Sequence, residues 1–280
     1  MNADLESESL SELSEAGFSI SSLKELLVID SISAWKSAEE AWNRIIIRHF
    51  PAPPFLNRLR LIRVILLSEN VGIDEAVRTV ISELEEDQKV SNELRRVGID
   101  VTSVWNLVNA PNDYMQAIPS LATLLTKMKS PRVKEGIARA LTVKGVEDDV
   151  IRVLISEFTN FRPKSHIEQG VKWALANAIS TVCDRRWKDE ILRMAADKQH
   201  GDSRWPFIPW LARSKKDAAV IDLLVELMFD DSEAVSLSAI RGLGTLRAKS
   251  ALSDLTKTLV TAKGEKKDEI VKAISKIKKG

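Results

Sequence analysis

Five segments of this chain align on one another: SPRVKEGIARALT (130–142), HIEQGVKWALA (166–176), DSRWPFIPWLA (202–212), SEAVSLSAIRGLG (232–244) and KKDEIVKAIS (266–275). Their anchors, Leu141, Leu175, Leu211, Leu243 and Ile274, fall 34, 36, 32 and 31 residues apart. A period that short holds two helices of about three to four turns each, with their connections and little else. Within the segments the apolar positions follow helical spacing: Val133, Ile137, Ala140 and Leu141, then Val235, Ala239, Gly242 and Leu243, stand at i, i+4, i+7 and i+8. Such a stripe faces one side of a helix. Small residues at the third position (Ala140, Ala174, Gly242, Ala273) allow a neighbouring helix to approach closely.

Before each segment lies another amphipathic stretch: AIPSLATLLTKM, DDVIRVLISEF, WKDEILRMAA, AAVIDLLVELM and ALSDLTKTLV. Each period therefore reads as helix A, a tight turn and helix B. Composition agrees. With 11 Gly and 9 Pro in 280 residues, the chain lacks the turn residues of a sandwich, a barrel or an αβ nucleotide fold. Hydrophobic residues at 44% and charged residues at 29% are too apolar a mixture for disorder.

These segments resemble the HEAT repeat, in the short bacterial form that opens helix B with D-x-x-V-R-x-x-A-x-x-A-L-G. DDSEAVSLSAIRGLGTL is the closest copy, followed by KSPRVKEGIARAL. The resemblance covers roughly 112–278 and implies an all-α fold, an α-solenoid of stacked helical hairpins with a right-handed superhelical sense. HEAT arrays serve many unrelated tasks, so the resemblance says little about function.

The expected organisation is an irregular helical part over 1–110 and five HEAT-like repeats over 111–280, in one continuous solenoid. LSEAGFSISSLKELLV (13–28) matches LRRVGIDVTSVWNLVN (94–109) at an offset of 81. Gly17 and Gly98 read as the glycines that end a helix, with Phe18 and Ile99 as their apolar followers. Ser21 or Ser22, and Thr102 or Ser103, then cap the next helix. SAEEAWNRIIIRHF and PPFLNRLRLIRVILLS read as one degenerate pair, with Pro53 and Pro54 marking a helix start.

Charge excludes some partners. Lys plus Arg is 41 and Asp plus Glu is 40, so no global field steers the chain to nucleic acid or an anionic bilayer. Residues 1–30 are acidic (net −6) and 257–280 basic (net +5), as solvated ends of an array or as a tail for an acidic partner. No apolar run is long enough to span a membrane. The first residues lack the apolar core of a secretory signal, and one cysteine, Cys183, suits a reducing cytoplasm.

Catalytic signals are missing. His49, His166 and His200 are isolated, as surface or capping residues, and no G-x-S-x-G, P-loop or G-x-G-x-x-G occurs. Neither a metal, a cofactor nor a catalytic residue is expected, and Cys183 reads as a buried structural thiol. One row stands out. The helix-B position before the small residue holds Arg139, Trp173, Pro209, Arg241 and Lys272, with Arg63 at the equivalent place in the degenerate pair. In HEAT arrays the B helices line the concave surface, so these positions would form a mostly basic row, joined by Arg204 and Trp205. Arg and Trp dominate interface energetics. The plainer alternative is a solvated face neutralised by Glu135 and Asp268. GDSRWPFIPWLARSKK departs from the pattern, and Pro209 is expected to break its helix.

Three functions follow. The first is a non-enzymatic scaffold that binds a protein partner on the concave face. The second is a DNA-binding protein similar to HEAT-like alkylpurine DNA glycosylases, for which the chain supplies Trp173, Asp202, Arg139 and Arg241 without the positive charge such a surface needs. The third is a bacterial immunity or antitoxin protein.

Overall fold

The computed structural model describes residues 73–279 apart from 109, 111–113, 215 and 216, together with positions 11, 14, 15 and 17. Among the described residues the secondary structure is helical with no strand, an all-α arrangement. They fall into two compact units. The first holds the described residues up to Ala110 with Met128–Lys134 and Lys164–Glu168; the second holds the remainder to the C-terminal end.

In the first unit, α1 (Ile73–Arg96) ends at Gly98, whose φ is +84°. The Gly98 N–H donates to Arg95 O (3.0 Å) and the Ile99 N–H to Leu94 O (2.9 Å), the two bonds of a Schellman stop. Ser103 then caps a 3-10 turn over Val104–Leu107, and Asn106 reaches back to the Ser103 N–H. At the earlier copy only the glycine stop is described. Gly17 has a φ of +88°, and its N–H donates to Ser14 O (3.0 Å), the residue equivalent to Arg95. The rest of that corner, the Pro53–Pro54 pair and Arg63 lie outside the described residues.

Three carboxylates on α1 organise this unit. Glu86 accepts from the Lys129 and Ser130 N–H groups, and Asp87 accepts from the Val104 N–H (2.9 Å). Glu83 lies buried 3.9 Å from Arg132. Burial pushes its carboxyl up to about 7 against the pull of Arg132 and Ser130, with the Glu86 and Asp87 charges adding to the rise.

Apart from the third B helix, the A and B helices expected from the repeats form where their periodicity places them. The A helices are α2 (Ile118–Lys127), α4 (Asp148–Asn160), α6 (Lys188–Ala196), α8 (Ala218–Leu227) and α10 (Leu252–Thr261). The B helices are α3 (Pro131–Ala140), α5 (His166–Val182), α7 (Phe207–Leu211), α9 (Glu233–Leu246) and α11 (Gly264–Lys278). In the second unit A packs on A (α2 with α4, α6 with α8) and B on B (α7 with α9, α9 with α11). Partners within a pair also pack together (α6 with α7, α8 with α9, α10 with α11).

Leu141, Leu175, Leu211 and Leu243 are all at most 1% exposed, as their role as anchors requires. Ile274 is not equivalent. It is half-buried, and the interior face of α11 is carried by Ile270, Ala273 and Ile277, one helical step round. The small residues act as the spacing suggests. A Cβ on Gly242 would stand 3.0 Å from Leu224 Cδ1, and one on Gly244 would stand 2.9 Å from Ala273 Cα, so α9 lies backbone-close to α11.

The irregular third period is displaced, but not by Pro209. A 3-10 stretch over Lys198–Arg204 is interrupted at Gly201 (φ +54°, ψ −140°), and α7 begins afresh at Phe207. Pro209 is the third residue of that helix. Residues in a first turn have no intrahelical acceptor for an N–H, so its missing donor costs nothing there. The break belongs to Gly201, five residues upstream of Pro206.

Candidate functional site

Some of the residues expected to form a row contact one another. Arg139 on α3 is held by Glu135 one turn earlier (2.8 and 2.7 Å), and its guanidinium lies 5.2 Å from the centre of the Trp173 ring on α5. Gly170 lies close by: a Cβ there would stand 3.3 Å from the Glu135 carboxylate, a tight contact with a flexible side chain. Trp173 in turn faces Trp205, with centroids 6.1 Å apart and planes tilted by 40°. Trp205 and Pro209 form one wall of a groove of about 370 Å³; Leu237, Arg241 and Thr245 of α9 form the other. Arg241 reaches α11, pairing with Glu265 (2.7 Å) and Glu269 (3.1 Å), and Glu269 also accepts from Lys272 (2.8 Å). The row therefore has two contacting parts, Arg139–Trp173–Trp205 and Arg241–Glu269–Lys272, on either side of the groove.

The character of this row differs from the expected one in two respects. First, Arg204 is not on it. It is 2% exposed and directed inward, donating to Asp230 through both terminal nitrogens (2.9 and 2.8 Å) and to Gly201 O (2.8 Å). The Gly201 turn rotates Arg204 into the interior while its neighbour Trp205 stays half-exposed. Burial alone raises the Asp230 carboxyl. The Arg204 hydrogen bonds, the Ser232 N–H and the Arg204 charge more than offset it and hold the carboxyl below its usual value.

Second, the row is not basic. Arg139, Arg241 and Lys272 are matched by Glu135, Glu265 and Glu269, so the cluster is neutral. Hydrogen bonds from Lys272 and Arg241 hold the Glu269 carboxyl below the ordinary carboxylate range. Glu135 was expected as a neutraliser. On α11 the role expected of Asp268 falls to Glu265 and Glu269. What the face leaves to solvent is therefore largely ion-paired charge at Arg241, Glu265 and Lys272, with Pro209 exposed and Trp173 and Trp205 half-buried.

The remaining tryptophans divide as packing demands. Trp187 and Trp210 are buried, and the Trp210 indole donates to Cys183 O (3.0 Å). Trp35 and Trp42 lie outside the described residues. Neither Trp173 nor Trp205 directs its indole N–H to any described residue, and both residues are half-buried.

A second polar cluster escaped the sequence reading. Lys172 is 1% exposed. Its ammonium donates to Phe158 O and Phe161 O at the C-terminal end of α4 and lies 4.3 Å from the centre of the Phe158 ring. Helix ends favour cations at that position. Burial, reinforced by the Arg162 charge, brings its pKa down to about 8. His200 is buried too, tilted against the same Phe158 ring at 4.5 Å, with Nδ1 unpartnered. Burial, then the Lys172 charge, lowers it to about 4, so the ring is neutral at ordinary pH. His200 is therefore a core residue, not a surface or capping one. The repeat alignment carried a signal for Lys172: its register is held by Ala138, Ile208, Ile240 and Val271 elsewhere, so a lysine there occupies an apolar position.

Cys183 is buried, and burial with the Asp184 charge pushes its thiol up to about 12, as befits an inert side chain. Among the described residues no group of three or more His, Cys, Asp or Glu side chains is placed to hold a metal ion, and no helix is long and apolar enough to cross a membrane. Compared with models of known families, with curated proteins and with solved structures, the chain finds no match.

Proposed function

We propose that this chain is a non-enzymatic protein-binding scaffold. In this reading it is a HEAT-like α-solenoid whose B helices present the Arg139–Trp173–Trp205–Arg241 row to a protein partner. One observation carries the proposal: two half-buried tryptophans, Trp173 on α5 and Trp205 in the turn ahead of α7, sit in ring contact, flanked by arginines already held in place by glutamates. A side chain held before the partner arrives loses little freedom on binding, so more of the contact energy appears as affinity. Aromatic anchors of this type contribute most of the binding energy at interfaces.

The DNA-binding alternative fares worse on the same residues. Phosphate contacts need cations free to displace counterions, and Arg139 and Arg241 already have carboxylate partners. The test is capture of partners from native lysate by the wild-type chain and by a Trp173→Ala/Trp205→Ala variant, with Arg139→Glu/Arg241→Glu as a second pair. Loss of one and the same partner in both variants is the expected result. A variant pair that retains every partner overturns the proposal.

A further inference from the structure

Glu83 and Glu86 stand one turn apart on α1, and both engage the start of α3. Glu86 accepts from the backbone N–H groups of Lys129 (2.9 Å) and Ser130 (2.8 Å), 43 and 44 residues further along the chain. These are the amides immediately before α3, whose first residue, Pro131, has none to offer. Glu83 is 6% exposed, lies 3.9 Å from Arg132 Nε and bonds to the Ser130 hydroxyl. Together the two carboxyl groups clasp 128–134 to α1.

The two halves of the clasp are not equivalent. Glu86 is half-buried and, as an anion, meets two N–H donors at a helix N-terminus, where negative charge is favoured. Glu83 is out of water, while its cationic partner is beyond hydrogen-bond distance and itself 30% exposed. When ionised, Glu83 puts a weakly compensated charge into the interior, with Glu86 and Asp87 beside it at i+3 and i+4. The groups that face it are Arg132 and the Ser130 hydroxyl from 128–134, and Glu86 and Asp87 from α1 itself. The Val104–Leu107 turn, which packs on α1, holds no titratable residue. Two events relieve the buried charge: a proton on Glu83, or detachment of 128–134 so that water reaches the carboxylate.

We propose that this clasp is a proton-operated latch, closed while Glu83 is protonated and loosened, by local opening of 128–134 away from α1, when Glu83 ionises. Burial of the carboxyl, which pushes it up to about 7, sets the range. The latch is tight at about pH 5, loosens by up to about tenfold per pH unit, and reaches its loose limit above 7. It operates whether or not the row binds a partner.

The test is amide hydrogen exchange on the full chain, followed by NMR and divided by the intrinsic rate at each pH. The Lys129 and Ser130 N–H groups report directly, because Glu86 holds them. Their protection is expected to fall at least about tenfold between about pH 5 and pH 8. The Val104 N–H, held by Asp87 on the same helix, and the Ser236 N–H of α9 are expected to show no such fall. In Glu83→Gln, which keeps the shape without the charge, protection at 129 and 130 should stay within about threefold across the range. Arg132→Gln, at a partly exposed position, provides a second variant should Glu83→Gln fail to fold; it is expected to widen the fall by about threefold or more, because the ionised carboxylate then has no cation beside it. A flat wild-type profile, the same fall in Glu83→Gln, a fall shared by Val104 and Ser236, or no widening in Arg132→Gln overturns the latch.

Discussion

Arg204 and Arg241 are both paired with carboxylates, yet the two regions use that pairing in opposite ways. Arg204 meets Asp230 where both side chains are at most 3% exposed, whereas Arg241 meets Glu265 where both are about half-exposed. In the interior the carboxylate is a requirement, because a lone buried charge is very costly. On the row it is a positioning device: water would solvate either ion, and the pair instead fixes where the guanidinium lies beside the groove. Adjacent residues can fall on opposite sides of this divide, as Arg204 and Trp205 do.

The largest expected effect tests the interior side of the contrast. Arg204→Ala leaves Asp230 buried with only the Ser232 N–H, and is expected to cost about 3–5 kcal/mol in chemical denaturation. An Arg204→Met/Asp230→Leu double variant should recover most of that loss, because neither charge then needs a partner. A loss no larger than that of an exposed pair would erase the distinction.

Next in size is the close approach that brings α9 to α11, and with it Arg241 to its glutamates. A Cβ at Gly244 meets backbone at 2.9 Å, so Gly244→Ala is expected to destabilise by about 1–3 kcal/mol and to loosen the Arg241–Glu269 pair. Thermal melts give the first, and the pH at which Glu269 titrates gives the second: it should rise towards the normal carboxylate value.

A third expectation concerns buried groups that titrate. The folded-state pKa of His200 lies near 4 and the unfolded value near 6.5. Between those two values the unfolded chain binds more protons, so stability should rise with pH across that window and level off above it. His200→Gln should flatten this part of the profile. Glu83 has the opposite sign. Its folded pKa is raised to about 7, so its contribution is full below the unfolded value and is lost as pH rises through 7. Glu83→Gln should therefore help more at pH 8 than at pH 5.

The smallest effects belong to the row. Arg139→Ala and Arg241→Ala should each change stability by less than about 1 kcal/mol, measured by denaturation, because their pairs are partly in water. A row variant that destabilised as strongly as Arg204→Ala would show that these arginines hold the fold together.

Much of the architecture was legible because it is local. The Schellman stop at Gly98 and the Ser103 cap follow from residues within a few positions of each other, and each pair of amphipathic stretches follows from spacing of three and four. The phase of the row was legible for the same reason: Arg139 and Trp173 are half-exposed, and Pro209, Arg241 and Lys272 are exposed, as their register requires. The failures are equally particular. Gly201, not Pro209, breaks the third period, because proline is harmless in a first turn while a glycine at positive φ redirects the chain. His200 read as a surface or capping residue, but the ring of Phe158 provides an interior place for it, beside the Lys172 ammonium held by the carbonyls at the end of α4.

From its residues alone, this chain determined that it would be helical, where its A and B helices would lie and which faces would turn inward. Those properties depend on periodicity and capping within about a turn. Only the tertiary structure decided which charges would be engaged and which rings left open. Arg204 finds Asp230 26 residues away and Arg241 finds Glu265 24 residues away. Whether such a pair is buried or wet depends on how whole helices pack, which no local spacing encodes.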